Sequence, residues 1–168
     1  MTQSVNIHAS CVVLAGAGEA FSAPRDAGVL LLGDSGTGKS DLALRLIARG
    51  AVLVADDRCE IFVKGNALRS RAVQNLAGLI EVRGVGIVRL PFISEARVAL
   101  VARLVAPQFV PRLPEPARYE PPPALSAPDA VRPPEIVLAP FEASACAKLA
   151  AAVAAHAGAR STNEVNTH

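Results

Sequence analysis

Tryptophan is absent, and one tyrosine with five phenylalanines brings the aromatic share to 4%. So little ring surface leaves few platforms for stacking successive nucleobases. A net charge of +2 is also too mild for a chain built around a nucleic-acid backbone. Cysteine is scarce as well. Cys11, Cys59 and Cys146 are odd in number, scattered, and never in C-x-x-C spacing, which excludes a disulfide framework and a zinc ribbon. They are expected to be reduced and buried as small hydrophobes. No basic stretch followed by an apolar core opens the chain, so no secretory signal is expected. The alanine-rich run Ala143–Ala157 is broken by Lys148 and His156, and it is too short and too weakly apolar to span a bilayer. These absences point to a cytoplasmic chain with neither membrane nor nucleic acid as partner. Its 168 residues suit one domain with a sizeable core, expected over residues 1–157.

What is present begins with Gly33-Asp34-Ser35-Gly36-Thr37-Gly38-Lys39-Ser40, which fits G-x-x-x-x-G-K-[ST] without a gap. The apolar run Val29-Leu30-Leu31-Leu32 precedes it and has the length of a buried parallel strand. Leu42, Leu44, Leu46 and Ile47 follow among Asp41, Arg45 and Arg49, with Gly50 at a helix C-terminus. Strand, glycine-rich turn and helix start are what a phosphate cradle needs. Glycines let successive N–H groups converge on phosphate oxygens, and the helix N-terminus adds partial positive charge. Lys39 would reach the terminal phosphates and Ser40 would offer its hydroxyl to Mg²⁺.

Around this cradle, Cys11-Val12-Val13-Leu14 reads as a first strand and residues 15–27 as a loop. Ala51–Ala55 is an apolar strand ending in Asp56-Asp57, and Glu60–Lys64 runs to a Gly65-Asn66 turn. Short apolar pieces at Ala77–Arg83 and Gly86–Leu90 flank a glycine turn, and Arg97–Leu104 is another strand. Residues 107–134 hold 10 of the 13 prolines. Regular helix and central strand are therefore excluded there, and a solvated linker or a lid is expected. Ile136–Leu138 is a closing strand, Glu142–His156 an alanine-rich helix, and 158–168 a disordered tail. Strands outnumber helices after the first helix, so the fold class is α/β with a mixed sheet and helices packed against it.

The strand end Val54-Ala55-Asp56-Asp57 gives the cradle its acids. One carboxylate can orient a metal water or a neighbouring side chain while the other takes a proton from an incoming hydroxyl. Glu81-Val82-Arg83-Gly84-Val85-Gly86-Ile87 is less expected of an average cradle protein.

Taken together, and in this order, Ile7-His8, Gly33–Ser40 with Asp41, Leu53–Asp57 and Glu81–Ile87 resemble the catalytic domain of HPr kinase/phosphorylase, over roughly residues 5–115. This bacterial enzyme phosphorylates a serine of the phosphocarrier HPr. The resemblance implies a P-loop domain related to phosphoenolpyruvate carboxykinases. It implies ATP, or pyrophosphate, as donor, Mg²⁺ as cofactor and a hexameric assembly. It casts Lys39 as the catalytic cradle lysine, Ser40 and Glu81 as metal ligands, and Asp57 as the proton acceptor with Asp56 its neighbour. His8 becomes an active-site histidine, Arg83, Gly84, Val85 and Gly86 a signature segment, and Arg112 a further catalytic arginine. Arg83, Arg89, Arg97 and Arg103 are candidates for a docking surface.

The chain looks like the short form found in alphaproteobacteria, without the N-terminal domain of fuller members. The family's late basic segment falls near Leu138–Ala145, which here has no basic residue, so the kinase direction is favoured over phosphorolysis. A small-molecule P-loop kinase and a nucleotide sensor without turnover remain as other classes.

Overall fold

The longest strand, β1 (Ser4–Val13), organises the molecule because both its edges are paired. The computed structural model describes residues 2–14 and 23–161. On one side β1 runs antiparallel to β2 (Ala27–Leu32). On its other side it pairs first with β4 (Arg58–Lys64) along Ser4–His8, then with β3 (Val52–Ala55) along Cys11–Val13. A single strand thereby bridges the break between β3 and β4, and that break is the Asp56-Asp57 pair.

Pairing continues from β4 to β5 (Ala67–Ala72), from β5 to β8 (Ala96–Leu104), and from β8 in parallel back to β2. Strands β1, β4, β5, β8 and β2 therefore close on one another as a ring. Beyond it, β10 (Pro134–Leu138) adds in parallel to β8, and β9 (Ala117–Arg118) closes that edge. The mixed sheet expected from the sequence is present; among the described strands the parallel pairs are β2–β8 and β8–β10. A separate hairpin is formed by β6 (Leu79–Val82) and β7 (Gly86–Arg89).

Alternation divides the apolar residues between two clusters. Cys11, Leu30, Cys59, Ile61, Leu68, Val98 and Val101 come from all five ring strands and fill its interior. Val12, Val29, Leu31, Leu100 and Ala102 point outward beneath α1 (Lys39–Ile47) and α2 (Ala145–Ser161). The register of β8 shifts against Gly28/Val29 of β2, so Ala96 and Val98 face inward while Leu100 and Ala102, of the same parity, face out. Helix α1 buries Leu42, Ala43 and Leu46. Helix α2 presents Ala145, Leu149 and Val153, four residues apart, to the same outer cluster.

The sequence differs from the structure in four places. The first strand starts at Ser4 rather than Cys11, and β5 occupies a stretch with no expected element. Residues 107–134 are irregular as expected, with only three short 3₁₀ turns and the two-residue β9, but they are not a solvated linker. Tyr119, Leu125 and Val131 are buried, and Tyr119 and Leu125 join the ring-interior cluster. Helix α2 extends through Ser161, where a tail was expected from Gly158, while 162–168 and most of the loop expected at 15–27 lie outside the described residues.

Candidate active site

The cradle Gly33–Ser40 joins the C-terminal end of β2 to the first turn of α1. Gly38 is the N-cap at φ 96°, a left-handed conformation suited to glycine, and no side chain caps the helix. The first-turn N–H groups are thus directed to the cradle rather than to a capping oxygen. Thr37 closes the loop on itself, its hydroxyl donating to Asp34 O at 2.8 Å. Lys39 is only 6% exposed, and its Nζ donates to Gly33 O at 2.6 Å and Asp34 O at 2.9 Å. Burial lowers its pKa from the usual lysine value, against the opposing pull of the carboxylates of Asp57, Asp34 and Asp56.

The adjacent acids are turned to opposite tasks. Arg58 N donates to Asp56 O at 2.7 Å across Asp57, whose φ is 64°. An i→i+2 bond around a positive φ is a γ-turn of the rare kind, and aspartate is one of the few residues that tolerate the left-handed region. Asp56 is thereby sent inward, 4% exposed, where Ser10 Oγ donates to Oδ1 at 2.6 Å. Ser40 Oγ donates to the same carboxylate at 2.8 Å and 3.0 Å. Asp57 is sent outward with its side chain 63% exposed, and His8 Nε2 lies 3.0 Å from its Oδ1. A cleft of about 410 Å³, lined by Asn6, Ile7, His8, Ser35, Asp57 and Arg58, opens in front of this pair. Asp57 and the cradle residue Ser35 share its wall.

The structure thus brings His8, Asp34, Ser35, Lys39, Ser40, Asp56 and Asp57 together. Glu81 stands beside them through its backbone, its N–H approaching Asp56 Oδ2 at 3.4 Å, while its side chain faces solvent. Arg83, Gly84 and Val85 form the hairpin turn, and Gly86 pairs with Val82. Arg112 stands exposed on the loop after the 3₁₀ turn Pro107–Phe109, and no described hydrogen bond or ion pair joins it to the site. The nearby candidates are engaged elsewhere, Arg103 with Glu135 at 2.7 Å and Arg118 with Arg132 O at 2.7 Å. Arg97, assigned to a docking face, pairs with Asp26.

Ser10 was not singled out from the sequence, although a serine inside the apolar run Ala9–Leu14 is the sort of polar insertion that signals a buried partner. The hydroxyl of Ser40 and carboxylate of Asp56, already in contact, are the hard oxygens that magnesium takes alongside substrate phosphates. The residues present therefore fit that ion.

A family model described as HPr Serine kinase C-terminal domain matches residues 1–96. An HPr kinase/phosphorylase of Leptothrix cholodnii is 41% identical over 102 residues, covering 56% of this chain and 31% of that protein. Another, from Streptococcus pneumoniae, is 53% identical over 62 residues, 36% of this chain and 20% of that one. The chain thus matches about a third of the length of the first of these relatives. A solved Hpr(Ser) kinase/phosphatase from Coxiella burnetii has the same fold, with a TM-score of 0.71 over 94% of this chain and 99% of that one at 24% identity. The matched 96 residues include the cradle, both acids, His8 and the Glu81 hairpin. By this match the chain belongs to the HPr serine kinase C-terminal domain family.

Proposed function

We propose that this chain transfers the terminal phosphoryl group of ATP to a serine hydroxyl of an HPr-type phosphocarrier protein. One observation carries the reading. Ser40 of the cradle is hydrogen-bonded to Asp56, and the next residue, Asp57, faces an open cleft together with His8 and the cradle residue Ser35. Donor grip and proton acceptor are thus adjacent, with room between them for a guest side chain.

Phosphoryl transfer asks mainly for positioning and charge neutralisation. Lys39 and the cradle amides neutralise charge on the transferring oxygens. The buried lysine carries little water, so a phosphate meets its charge at low effective dielectric. The acceptor Oγ forms its bond to the γ-phosphorus as the β,γ-bridging bond breaks, and ADP leaves. A serine hydroxyl does not ionise at neutral pH, so its proton passes to Asp57 as bonding develops, a contribution of roughly 10²–10⁴ in rate. His8 holds Oδ1 of that carboxylate and leaves Oδ2 to the acceptor. Ser40, with Asp56 and Glu81 beside it, would hold magnesium, which when bound would supply charge neutralisation to the donor phosphates. Asp56 is the positioning residue, fixing the Ser40 hydroxyl from within the core.

The acceptor protein needs a face to dock on. The β6–β7 hairpin offers exposed Val85 and Ile87, 73% and 74% accessible, between Arg83 and Arg89, and it is tethered to Asp56 through Glu81 N. The partner chemistry agrees with a cytoplasmic location, and among the described residues no helix is long and apolar enough to cross a membrane. The family resemblance adds a hexamer, which analytical ultracentrifugation of the purified chain would reveal.

The test is to incubate the chain with γ-labelled ATP, Mg²⁺ and HPr. Label on an HPr serine is expected, lost with Asp57→Ala. Label on a small metabolite, or ATP binding with no transfer to HPr, would overturn the reading. Substituting pyrophosphate for ATP tests the other donor, and inorganic phosphate with seryl-phosphorylated HPr tests the reverse direction.

A further inference from the structure

The late segment that follows β10 contains an exposed aromatic ring set against the cradle. Phe141 is 69% exposed in a chain with five phenylalanines, no tryptophan and one tyrosine. A Cβ placed on Gly38 would lie 2.7 Å from Phe141 Cζ, 3.1 Å from Cε1 and 3.3 Å from Cε2. The ring therefore meets the cradle with its far edge, while most of the residue stays open to solvent. It is anchored on both flanks: Arg45 of α1 donates to Pro140 O, Lys148 of α2 pairs with Glu142, and Ala145 N donates to Glu142 O at 3.0 Å. The backbone that carries this exposed ring is thus held in place beside the glycine.

Its position relative to the acids gives it a direction. Ser35, early in the cradle, lines the cleft with Asp57 and His8, so the transferring phosphate must face that way. Phe141 touches Gly38, late in the cradle, where the rest of a nucleotide would leave. Resting on the nucleotide-dependent activity proposed above, we infer that Phe141 is the stacking platform for the donor's nucleobase. It supplies from the late segment the base contact that the cradle itself lacks. A ring platform is sequence-tolerant because every base has a π-face, so the site would accept purine nucleotides without a base-reading hydrogen bond.

Pyrophosphate, which has no base, separates this role from support of the loop. Calorimetry on the full chain with Mg²⁺ is expected to show Phe141→Ala and Phe141→Leu binding ATP roughly 5- to 100-fold more weakly than wild type. Their affinity for pyrophosphate should stay within about twofold. Because the chain has no tryptophan, Phe141→Trp supplies a single reporter whose emission should change with ATP and not with pyrophosphate. It also carries the test if the smaller substitutions unfold the protein. Equal weakening of both ligands would make the ring a prop for the loop and overturn the inference, as would unaltered ATP affinity. A wild-type chain binding pyrophosphate but not ATP would overturn it while sparing the cradle, and one binding neither would overturn the cradle reading as well.

Discussion

The two sides of the strand ring are covered by different kinds of chain. Outside, α1 and α2 lay regular stripes of leucine and alanine on β1, β2 and β8, and the cradle that opens α1 has Asp56 and Phe141 against it. The interior cluster is completed by proline-rich, irregular chain that contributes Tyr119 and Leu125. Proline excludes a ladder and a helix, but not the insertion of an apolar side chain into a core. Chemistry and cover are therefore separable. The outer rim should be rich in residues whose loss stops the reaction, and the interior in residues whose loss melts the protein.

The largest expected effect tests the rim. Asp57→Ala should lower the rate of transfer to HPr by roughly 10²–10⁴ while leaving ATP affinity near wild type, because the side chain is exposed, with a small drop in melting temperature from alanine held at φ 64°. Asp57→Gly, which relaxes the positive φ, should be equally inactive and at least as stable. A melting temperature that falls with activity in Asp57→Gly would break the separation.

Leu125→Ala tests the cover. It should cost about 2–4 kcal/mol in denaturant unfolding with little change in turnover per folded molecule, since Leu125 is 7% exposed and remote in sequence from every motif. Normal stability with lost turnover would make residues 107–134 a lid after all.

Ser10→Ala lies where the two regions meet. Removing the 2.6 Å bond to the buried Asp56 should cost about 1.5–3 kcal/mol, as for a hydrogen bond to a charged group. It should also weaken the Mg²⁺ dependence of transfer, because Asp56 steadies Ser40. A loss of stability alone would assign Ser10 to the core.

At the ring closure, the hydrogen bond from Arg97 lowers the Asp26 pKa from its usual value, burial opposing. A depressed carboxylate stabilises the fold above its unfolded pKa and loses that contribution as pH falls through the folded value. Wild type should therefore lose slightly more stability than Asp26→Asn below about pH 4, by under about 1 kcal/mol since the pair is partly exposed. The smallest effect is an absence of reaction. Burial pushes the Cys11 thiol up to about 12, so alkylation at pH 8 should label it only after unfolding.

Much of the rim was legible because cradle chemistry fixes residue types at fixed spacings. The strand before Gly33, the helix after it and the acids at the end of β3 all follow from that constraint. Elements set by packing alone were less visible. In β5, Leu68 and Ser70 face inward while Arg69 and Arg71 face out, and two arginines in six residues mask the alternation. Proline content excludes regular helix and central strand from residues 107–134, yet composition says nothing about which isolated apolar residues find a core. Ser10 falls outside every motif and Phe141 lies in the late segment Leu138–Ala145, where the expectation concerned basic residues; each matters only through a residue distant in sequence, Asp56 and Gly38.

The closed ring also fixes how far the protein can be cut back. The family match stops at residue 96, where β8 begins. A fragment ending there would keep His8, the cradle, both acids and the Glu81 hairpin yet leave β2 and β5 with raw, unpaired edges, an invitation to intermolecular strand addition. Homology therefore marks the chemistry, but the smallest piece able to fold on its own must run past the match through β8.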